Sequence, residues 1–293
     1  MARCRQMNPT ESPAMPETDA APASSVTGPI GVFDSGIGGL TVVAALQELL
    51  PAERIFYIGD TARVPYGGKS RRTIERYSVE IAGLLLAEQA KLIVVACNTA
   101  SALAVPRLKQ LFNIPVQGVI DPGAAAAVRS TRNGRIGVIG TRATIGSRAY
   151  EQAIHEISPG AEVFAEACPL LVPLIEEGLL DDPITDQVLH RYLDPLLGEG
   201  IDTLVLGCTH YPLLREAFAR VAGDSVTLVD SAQNCALAVD GILKNLALAA
   251  PARQLGGLDV ALTDSTEGFL RVAEEALKLE IGDVQLRAVQ SAG

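Results

Sequence analysis

From residue 30 onward, short apolar runs alternate along the chain with longer stretches whose apolar residues recur at helical spacing. A short continuous apolar run is typical of a parallel β-strand that is buried on both faces. Strands are predicted at residues 30–33, 55–58, 92–96, 116–120, 136–139, 163–165, 203–206 and 226–229. Helices are predicted at residues 40–50, 74–89, 101–112 and 185–197. This alternation predicts an α/β fold built on doubly wound parallel sheets.

Two segments of the first half are echoed in the second half. The sequence IGVFDSG at 30–36 reappears as IGVIGTR at 136–142, and LIVVACNT at 92–99 reappears as TLVLGCTH at 203–210. Because the echoes keep their order, we predict two similar α/β domains with the active site in the cleft between them. The first domain is predicted to comprise residues 28–119 and 229–293, and the second residues 120–228.

Residues 1–27 have a different composition, with four prolines, many small polar residues and no apolar run. This stretch has no apolar segment of the kind found in signal peptides, so it does not indicate export. We predict a disordered N-terminal tail.

Composition narrows the classes of function. The chain has 34 acidic and 24 basic residues, a net charge of −10 that argues against a protein that binds nucleic acid. No apolar run reaches the length of a membrane span. The five cysteines are an odd number, widely scattered and without a CxxC pair, so neither a disulfide framework nor a zinc site is indicated. We expect a cytoplasmic protein, because reduced cysteines persist in the cytosol.

Ligands of open α/β sheets bind beyond the carboxyl ends of the strands. Four segments place unusual residues there: DSGIGG at 34–39, GDTARVPYGGKS at 59–70, CNT at 97–99 and CTH at 208–210. The first lacks the GxGxxG spacing of a dinucleotide site. In the second, Tyr66 and the paired glycines could offer a hydroxyl and backbone donors, although a solvated surface loop is equally consistent with the pattern.

Cys97 and Cys208 carry the strongest signal. Each ends a predicted strand and precedes a predicted helix, from Ser101 and Leu213 respectively, and a helix N-terminus can lower the pKa of a thiol. One cysteine at such a place is usually part of the core, but two at equivalent places point to a shared task. A metal site needs more ligands, and a Cys/His nucleophile leaves one cysteine unexplained. A remaining arrangement has one thiolate remove a proton from a carbon while the other thiol protonates the opposite face.

Seven ordered motifs between residues 30 and 232 resemble those of the glutamate racemases, in the cofactor-independent aspartate/glutamate racemase superfamily. The motifs are FDSGIGGLTV, GDTARVPYGGKS, VACNTASA, GVIDPG, IGVIGTRATI, CPLLVPLIEEG and LGCTHYPLL. The resemblance implies interconversion of L- and D-glutamate without cofactor or metal, which supplies D-glutamate for peptidoglycan. It also implies a homodimer that needs no membrane and no nucleic acid.

The same resemblance assigns roles to residues of this chain. Cys97 and Cys208 match the two catalytic thiols, and Asp34, Glu176 and His210 match the groups that assist them. Residues matching substrate contacts are Asp34, Ser35, Tyr66, Gly67, Asn98, Thr99, Thr209 and His210. Because a nearby carboxylate disfavours a thiolate, we expect the acidic residues to influence which thiol holds the proton. Cys168 and Cys235 are expected to be buried and structural.

Three alternatives remain. A related racemase could act on aspartate, and a decarboxylase of the same superfamily would keep one cysteine. A non-enzymatic acidic binding protein would also accommodate the net charge.

Overall fold

The structure is a computed structural model that describes residues 26–251, 253–264, 281 and 284–289. Apart from residues 26 and 27, the tail predicted for residues 1–27 lies outside the described residues. No helix within the described residues combines the length and the apolar character that crossing a membrane requires.

Ten strands are found in the described part of the chain. They are β1 Ile30–Asp34, β2 Arg54–Gly59, β3 Leu92–Val95, β4 Val116–Gly118, β5 Arg135–Gly140, β6 Glu162–Ala167, β7 Thr203–Gly207, β8 Thr227–Asp230, β9 Gly257–Leu262 and β10 Val284–Leu286. The α-helices there are α1 Leu40–Leu49, α2 Arg71–Ala87, α3 Asn98–Leu111, α4 Ile120–Ser130, α5 Arg142–Ser147, α6 Ala149–Ile157, α7 Leu171–Glu176, α8 Pro183–Gly198, α9 Arg215–Ala222 and α10 Ser231–Asn245.

The strands form two separate parallel sheets, one in each of two α/β domains. The first has the order β10-β9-β2-β1-β3-β4 and the second the order β6-β5-β7-β8. The four strands β2-β1-β3-β4 therefore have the same order as β6-β5-β7-β8, so β1 corresponds to β5 and β3 to β7. The predicted fold class, two similar parallel-sheet domains, is confirmed. The exact domain limits stay a prediction, and the limit proposed between residues 228 and 229 falls within β8.

Each sheet is covered on both faces, which explains the uninterrupted apolar runs of its strands. In β1, Ile30 and Val32 pack with α1 and α10, while Phe33 packs on the opposite face with α2 and α3. In the second sheet, the corresponding layers are α8 with α9 on one face and α4 with α6 on the other. Alternate residues of a strand point to opposite faces, so both sets must be apolar.

Two predicted elements need correction. The strand predicted at 116–120 ends at Gly118, because helix α4 begins at Ile120 and accommodates Pro122 in its first turn. No α-helix begins at Leu213, since a 3₁₀ turn at Tyr211–Leu214 containing Pro212 separates β7 from α9. Strands β9 and β10 were not predicted, because both carry polar residues and partly exposed positions.

A buried ion pair joins the amino-terminal ends of β2 and β3. Lys91 is fully buried, and its Nζ lies 2.6 Å from Glu53 Oε2. The same Nζ donates to the carbonyl oxygens of Leu248 at 2.7 Å and Val26 at 3.1 Å. Lys91 therefore connects the chain before β1 and the segment after α10 to the amino-terminal edge of the first sheet.

We expect Lys91→Met to lower the free energy of unfolding by about 3–5 kcal/mol, because it leaves the Glu53 carboxylate buried without its cation. The control is Lys244→Met, which removes an exposed partner of Asp240 that solvent already screens. Denaturant unfolding of both variants is the measurement. Equal losses in the two variants would contradict the importance given to the buried pair.

Candidate active site

A cavity lies where the carboxyl ends of the two sheets face each other. Nine of the eleven residues predicted for the site line it: Ser35, Tyr66, Gly67, Cys97, Asn98, Thr99, Cys208, Thr209 and His210. The remaining two, Asp34 and Glu176, hydrogen-bond to residues of this lining. Cys97 and Cys208 are 111 positions apart in the sequence, yet both line this pocket. They follow β3 and β7, which occupy corresponding positions in the two sheets, and the carboxyl ends of the sheets face each other.

Cys97 lies two residues after the end of β3 and caps the N-terminus of α3, where its own backbone is extended. Its Sγ lies 3.6 Å from Ser35 Oγ. Burial raises the pKa of this thiol to about 12, and the Asp34 carboxylate adds to the effect, while hydrogen bonds with the Ala100 backbone and with Ser35 oppose it. The N-terminus of α3 does lower the pKa of Cys97 through the Ala100 backbone, as expected, but desolvation outweighs this effect and the pKa lies above its ordinary value. Cys97 is a neutral thiol at pH 7.

Cys208 lies in different surroundings. Its Sγ lies 3.9 Å from His210 Nδ1, and His210 Nε2 lies 3.1 Å from Glu176 Oε1 at the end of α7. Burial opposes a charge on His210, but the hydrogen bonds to Cys208 and Glu176 prevail and raise the pKa of the imidazole to about 10. His210 is consequently a cation at pH 7. The α-helix predicted to begin at Leu213 is replaced there by a 3₁₀ turn. The positive charge beside the Cys208 sulfur therefore comes from the His210 side chain and not from a helix N-terminus.

Asp34 links the two halves of the cavity. It ends β1 and is completely buried. Its Oδ2 accepts a hydrogen bond from Gly36 N at 3.0 Å, and its Oδ1 accepts one from Thr209 Oγ1 at 3.4 Å. Thr41 Oγ1 in turn donates to the carbonyl oxygen of Thr209 at 3.3 Å. The loops after β1 and β7 are therefore joined by hydrogen bonds across the cleft.

The segment at 59–70 is a fixed wall of the cavity, not a solvated loop. Tyr66 is almost fully buried and donates its hydroxyl to Asp60, whose carboxylate also accepts from Arg63 Nε at 2.7 Å and Thr263 Oγ1 at 2.9 Å. The Tyr66 hydroxyl is thus engaged within the wall, contrary to its suggested role as a free donor. Its neighbour Gly67 faces the second half of the molecule.

The donor groups of the cavity suit an anionic ligand. The hydroxyl of Thr99 lies 2.9 Å from that of Thr141, and Asn98 places an amide at the N-terminus of α3. Helix N-termini and hydroxyl groups are the usual partners of carboxylates. Among the residues that the structure describes, no cluster of three or more His, Cys, Asp or Glu side chains is arranged to hold a metal ion.

Comparison with known proteins gives a consistent answer. The family model described as Asp/Glu/Hydantoin racemase matches residues 30–239. The chain belongs to this racemase family. The glutamate racemase of Geobacter metallireducens is 51% identical over 255 residues, which cover 87% of this chain and 94% of the relative.

Solved structures give the same result for the fold. A glutamate racemase from Bacillus anthracis superposes with a TM-score of 0.84 at 40% identity, covering 90% of this chain and 97% of the other. The glutamate racemase from Francisella tularensis, solved in complex with D-glutamate, has a TM-score of 0.84 at 37% identity and covers 90% of this chain and 99% of the other. The chain is therefore an enzyme of the isomerase class.

Sequence reasoning did not single out several residues of the racemase site. Thr141 and Val172 line the cavity, and Tyr150 donates its hydroxyl to Asn98 Oδ1 at 2.7 Å. The internal repeat could have identified Thr141, because it occupies in IGVIGTR the place that Ser35 occupies in IGVFDSG. No comparable signal marks Tyr150, whose contact with Asn98 depends on how the two domains pack.

Gly38 lets the two halves of the racemase approach. A Cβ at this position would lie 2.3 Å from Thr209 Oγ1 and 2.6 Å from His210 Nδ1. We expect Gly38→Ala to displace the loop after β7 and to lower kcat/KM by about 100-fold, because displacements of about 1 Å have effects of that order. The control is Gly68→Ala, whose Cβ would meet nothing within 4 Å. Steady-state racemisation is the measurement, and similar kinetics for the two variants would contradict the steric argument.

Proposed function

We propose that this racemase interconverts L- and D-glutamate, with Cys97 and Cys208 as the two proton-transferring groups. One observation carries the proposal: the two cysteines follow corresponding strands of two repeated sheets and line the same cavity. The choice of glutamate is supported by the relatives, one of which is named a glutamate racemase at 51% identity and another of which was solved with D-glutamate.

Two-base inversion uses each sulfur once in a turnover. The thiolate on one side of the substrate takes the α-proton, so that the Cα–H bond breaks and an S–H bond forms. The electron pair stays on Cα and is delocalised into the α-carboxylate. The thiol on the opposite side then gives its proton to Cα, which forms the new C–H bond with inverted configuration and leaves a thiolate behind.

The unequal surroundings of the sulfurs suggest a resting state. Cys97 is buried beside the Asp34 carboxylate and holds its proton at pH 7. Cys208 lies on the other side of the cavity, with its Sγ 3.9 Å from Nδ1 of the His210 imidazolium. Because two-base inversion needs one thiol and one thiolate, we assign the thiol to Cys97 and the initial base to Cys208. The enantiomer whose α-proton faces Cys208 binds productively to this form.

The α-proton of an amino acid is very weakly acidic, so the carbanion must be stabilised by donors that are already in place. We assign this task to the hydroxyls of Ser35 and Thr99 and to the N-terminus of α3. A fixed donor of this kind contributes on the order of 3 kcal/mol to transition-state stabilisation. Because these groups are buried, water does not compete with the substrate for them.

The family resemblance also suggests the location, the assembly and the cellular role of the enzyme. We infer that the enzyme works in the cytoplasm as a homodimer and provides D-glutamate for the synthesis of peptidoglycan. Glutamate diffuses to the cavity as a small molecule, and neither nucleic acid nor a membrane takes part.

The substrate is tested by incubating the enzyme with each enantiomer of glutamate in D₂O. We expect deuterium to enter at Cα and the optical rotation to fall to zero from either side. L-aspartate and D-aspartate, run in parallel, serve as the alternative substrates. Exchange with aspartate and not with glutamate would show that the substrate is aspartate. α-Decarboxylation without racemisation would show that the enzyme catalyses a different reaction.

The roles of the sulfurs are tested with Cys97→Ser and Cys208→Ser. Each variant should lose net racemisation, because inversion needs both groups. Cys97→Ser should still exchange the α-proton of the enantiomer that faces Cys208, whereas Cys208→Ser should exchange that of the other enantiomer more slowly, because Cys97 holds its proton at pH 7. Mass spectrometry of the recovered pure enantiomers measures this exchange, and equal exchange of both enantiomers in the two variants would contradict the assignment.

Glu176→Gln should shift the alkaline limit of activity to lower pH. The carboxylate helps to raise the pKa of His210 from its ordinary value of 6.5 to about 10, so His210 should lose its proton earlier in the variant. For the same reason, the stabilisation that the wild-type protein gains from charged His210 is complete below pH 6.5 and is lost as the pH rises towards 10.

The measurements are the pH profile of kcat/KM and an NMR titration of the three histidines, with His210 identified by His210→Gln. Glu177→Gln is the matched control, since it removes an adjacent exposed carboxylate that does not bind His210. A profile that stays in place in Glu176→Gln would show that the ion pair does not control His210.

A further inference from the structure

Tyr150 touches the neighbours of both cysteines. It lies in the first turn of α6 in the second domain and is 3% exposed. Its hydroxyl donates to Oδ1 of Asn98, the residue after Cys97, at 2.7 Å. One edge of its ring packs on Gly207, the residue before Cys208, and the other edge packs on Gly123 of α4. A Cβ at either glycine would lie 3.1 Å from the ring. The ring is therefore clamped, and the position of its hydroxyl is fixed.

The hydrogen bond determines which end of the Asn98 amide faces the cavity. Burial raises the pKa of the Tyr150 hydroxyl, which keeps its proton and remains a donor, although a hydrogen bond from Ser231 opposes this shift. Because the hydroxyl donates to Asn98 Oδ1, the amide oxygen lies at the end that faces Tyr150 and the amide nitrogen lies at the other end. Asn98 is 2% exposed, and its Nδ2 has no hydrogen-bond partner among the described residues. The amide nitrogen is thus left as a free donor in a residue that lines the cavity.

We propose that Tyr150 is a positioning residue, which acts through Asn98 by holding the amide nitrogen towards the substrate carboxylate. The proposal rests on the proposed function in so far as the ligand is an amino acid. It goes further in assigning the orientation of a donor in the first domain to a side chain of the second. Without the Tyr150 hydroxyl, the buried Asn98 oxygen loses its hydrogen-bond donor. Because buried polar atoms are nearly always hydrogen-bonded, the amide group then rotates to a different orientation. The packed domain interface would then be part of substrate recognition.

Tyr150→Phe tests the proposal, because it removes the hydroxyl and keeps the ring between the two glycines. We expect KM for each enantiomer of glutamate to rise roughly tenfold, since a hydrogen bond to a charged group is misplaced. We expect kcat to change by less than about threefold, because the carboxylate is bound alike in the ground and transition states. The matched control is Tyr192→Phe, which removes a hydroxyl bonded to the Leu170 backbone in the same domain, outside the cavity lining.

Two further measurements separate positioning from a merely structural role. In an Asn98→Ala background, Tyr150→Phe should have no further effect on KM, because its route to the substrate is gone. In ¹⁵N-labelled protein without substrate, the side-chain amide signals of Asn98, identified by their loss in Asn98→Ala, should shift in Tyr150→Phe and stay in place in Tyr192→Phe. Additive effects on KM, or unchanged amide signals in Tyr150→Phe, would overturn the proposal. The NMR measurement does not depend on turnover, so wild-type protein that fails to racemise glutamate overturns the proposed function alone.

Discussion

The buried carboxylate of Asp34 constrains the whole cleft. A charge removed from water is costly unless hydrogen bonds compensate it, and Asp34 obtains them from Gly36 in its own loop and from Thr209 in the other domain. The two domains must therefore keep a close and specific contact where their sheets end. Gly38 permits this contact because it has no side chain where Thr209 and His210 pass. Separation of the domains would leave the carboxylate without one of its donors.

The same carboxylate contributes to a difference between two positions that the repeat makes equivalent. Cys97 and Cys208 follow corresponding strands and are both buried, but the first lies beside the Asp34 anion and the second beside the His210 cation. In the proposed reaction the sulfurs exchange roles in every turnover, so unequal surroundings define which protonation state the free enzyme adopts. In that proposal, the repeat supplies the two sulfurs, while their unequal surroundings decide which of them acts first as the base.

Tyr150 and the segment at 59–70 show how buried polar groups fix a site without touching the reacting atoms. Asp60 holds the hydroxyl of Tyr66 and the guanidinium of Arg63, which makes this segment a wall, and Tyr150 holds Asn98. Buried polar networks specify one geometry only when every member is satisfied. In the proposed complex the ligand satisfies Nδ2 of Asn98, which has no hydrogen-bond partner among the described residues.

The sequence by itself was enough to predict the parallel sheets, the repeat and the positions of Cys97 and Cys208, because hydrophobic pattern and strand ends are local properties. It also pointed to nine residues that share the cavity. The pKa of Cys97, the engagement of the Tyr66 hydroxyl and the contact between Tyr150 and Asn98 were decided only by tertiary structure. Desolvation and hydrogen bonding depend on which distant segments exclude water from a group, and no local pattern encodes that packing.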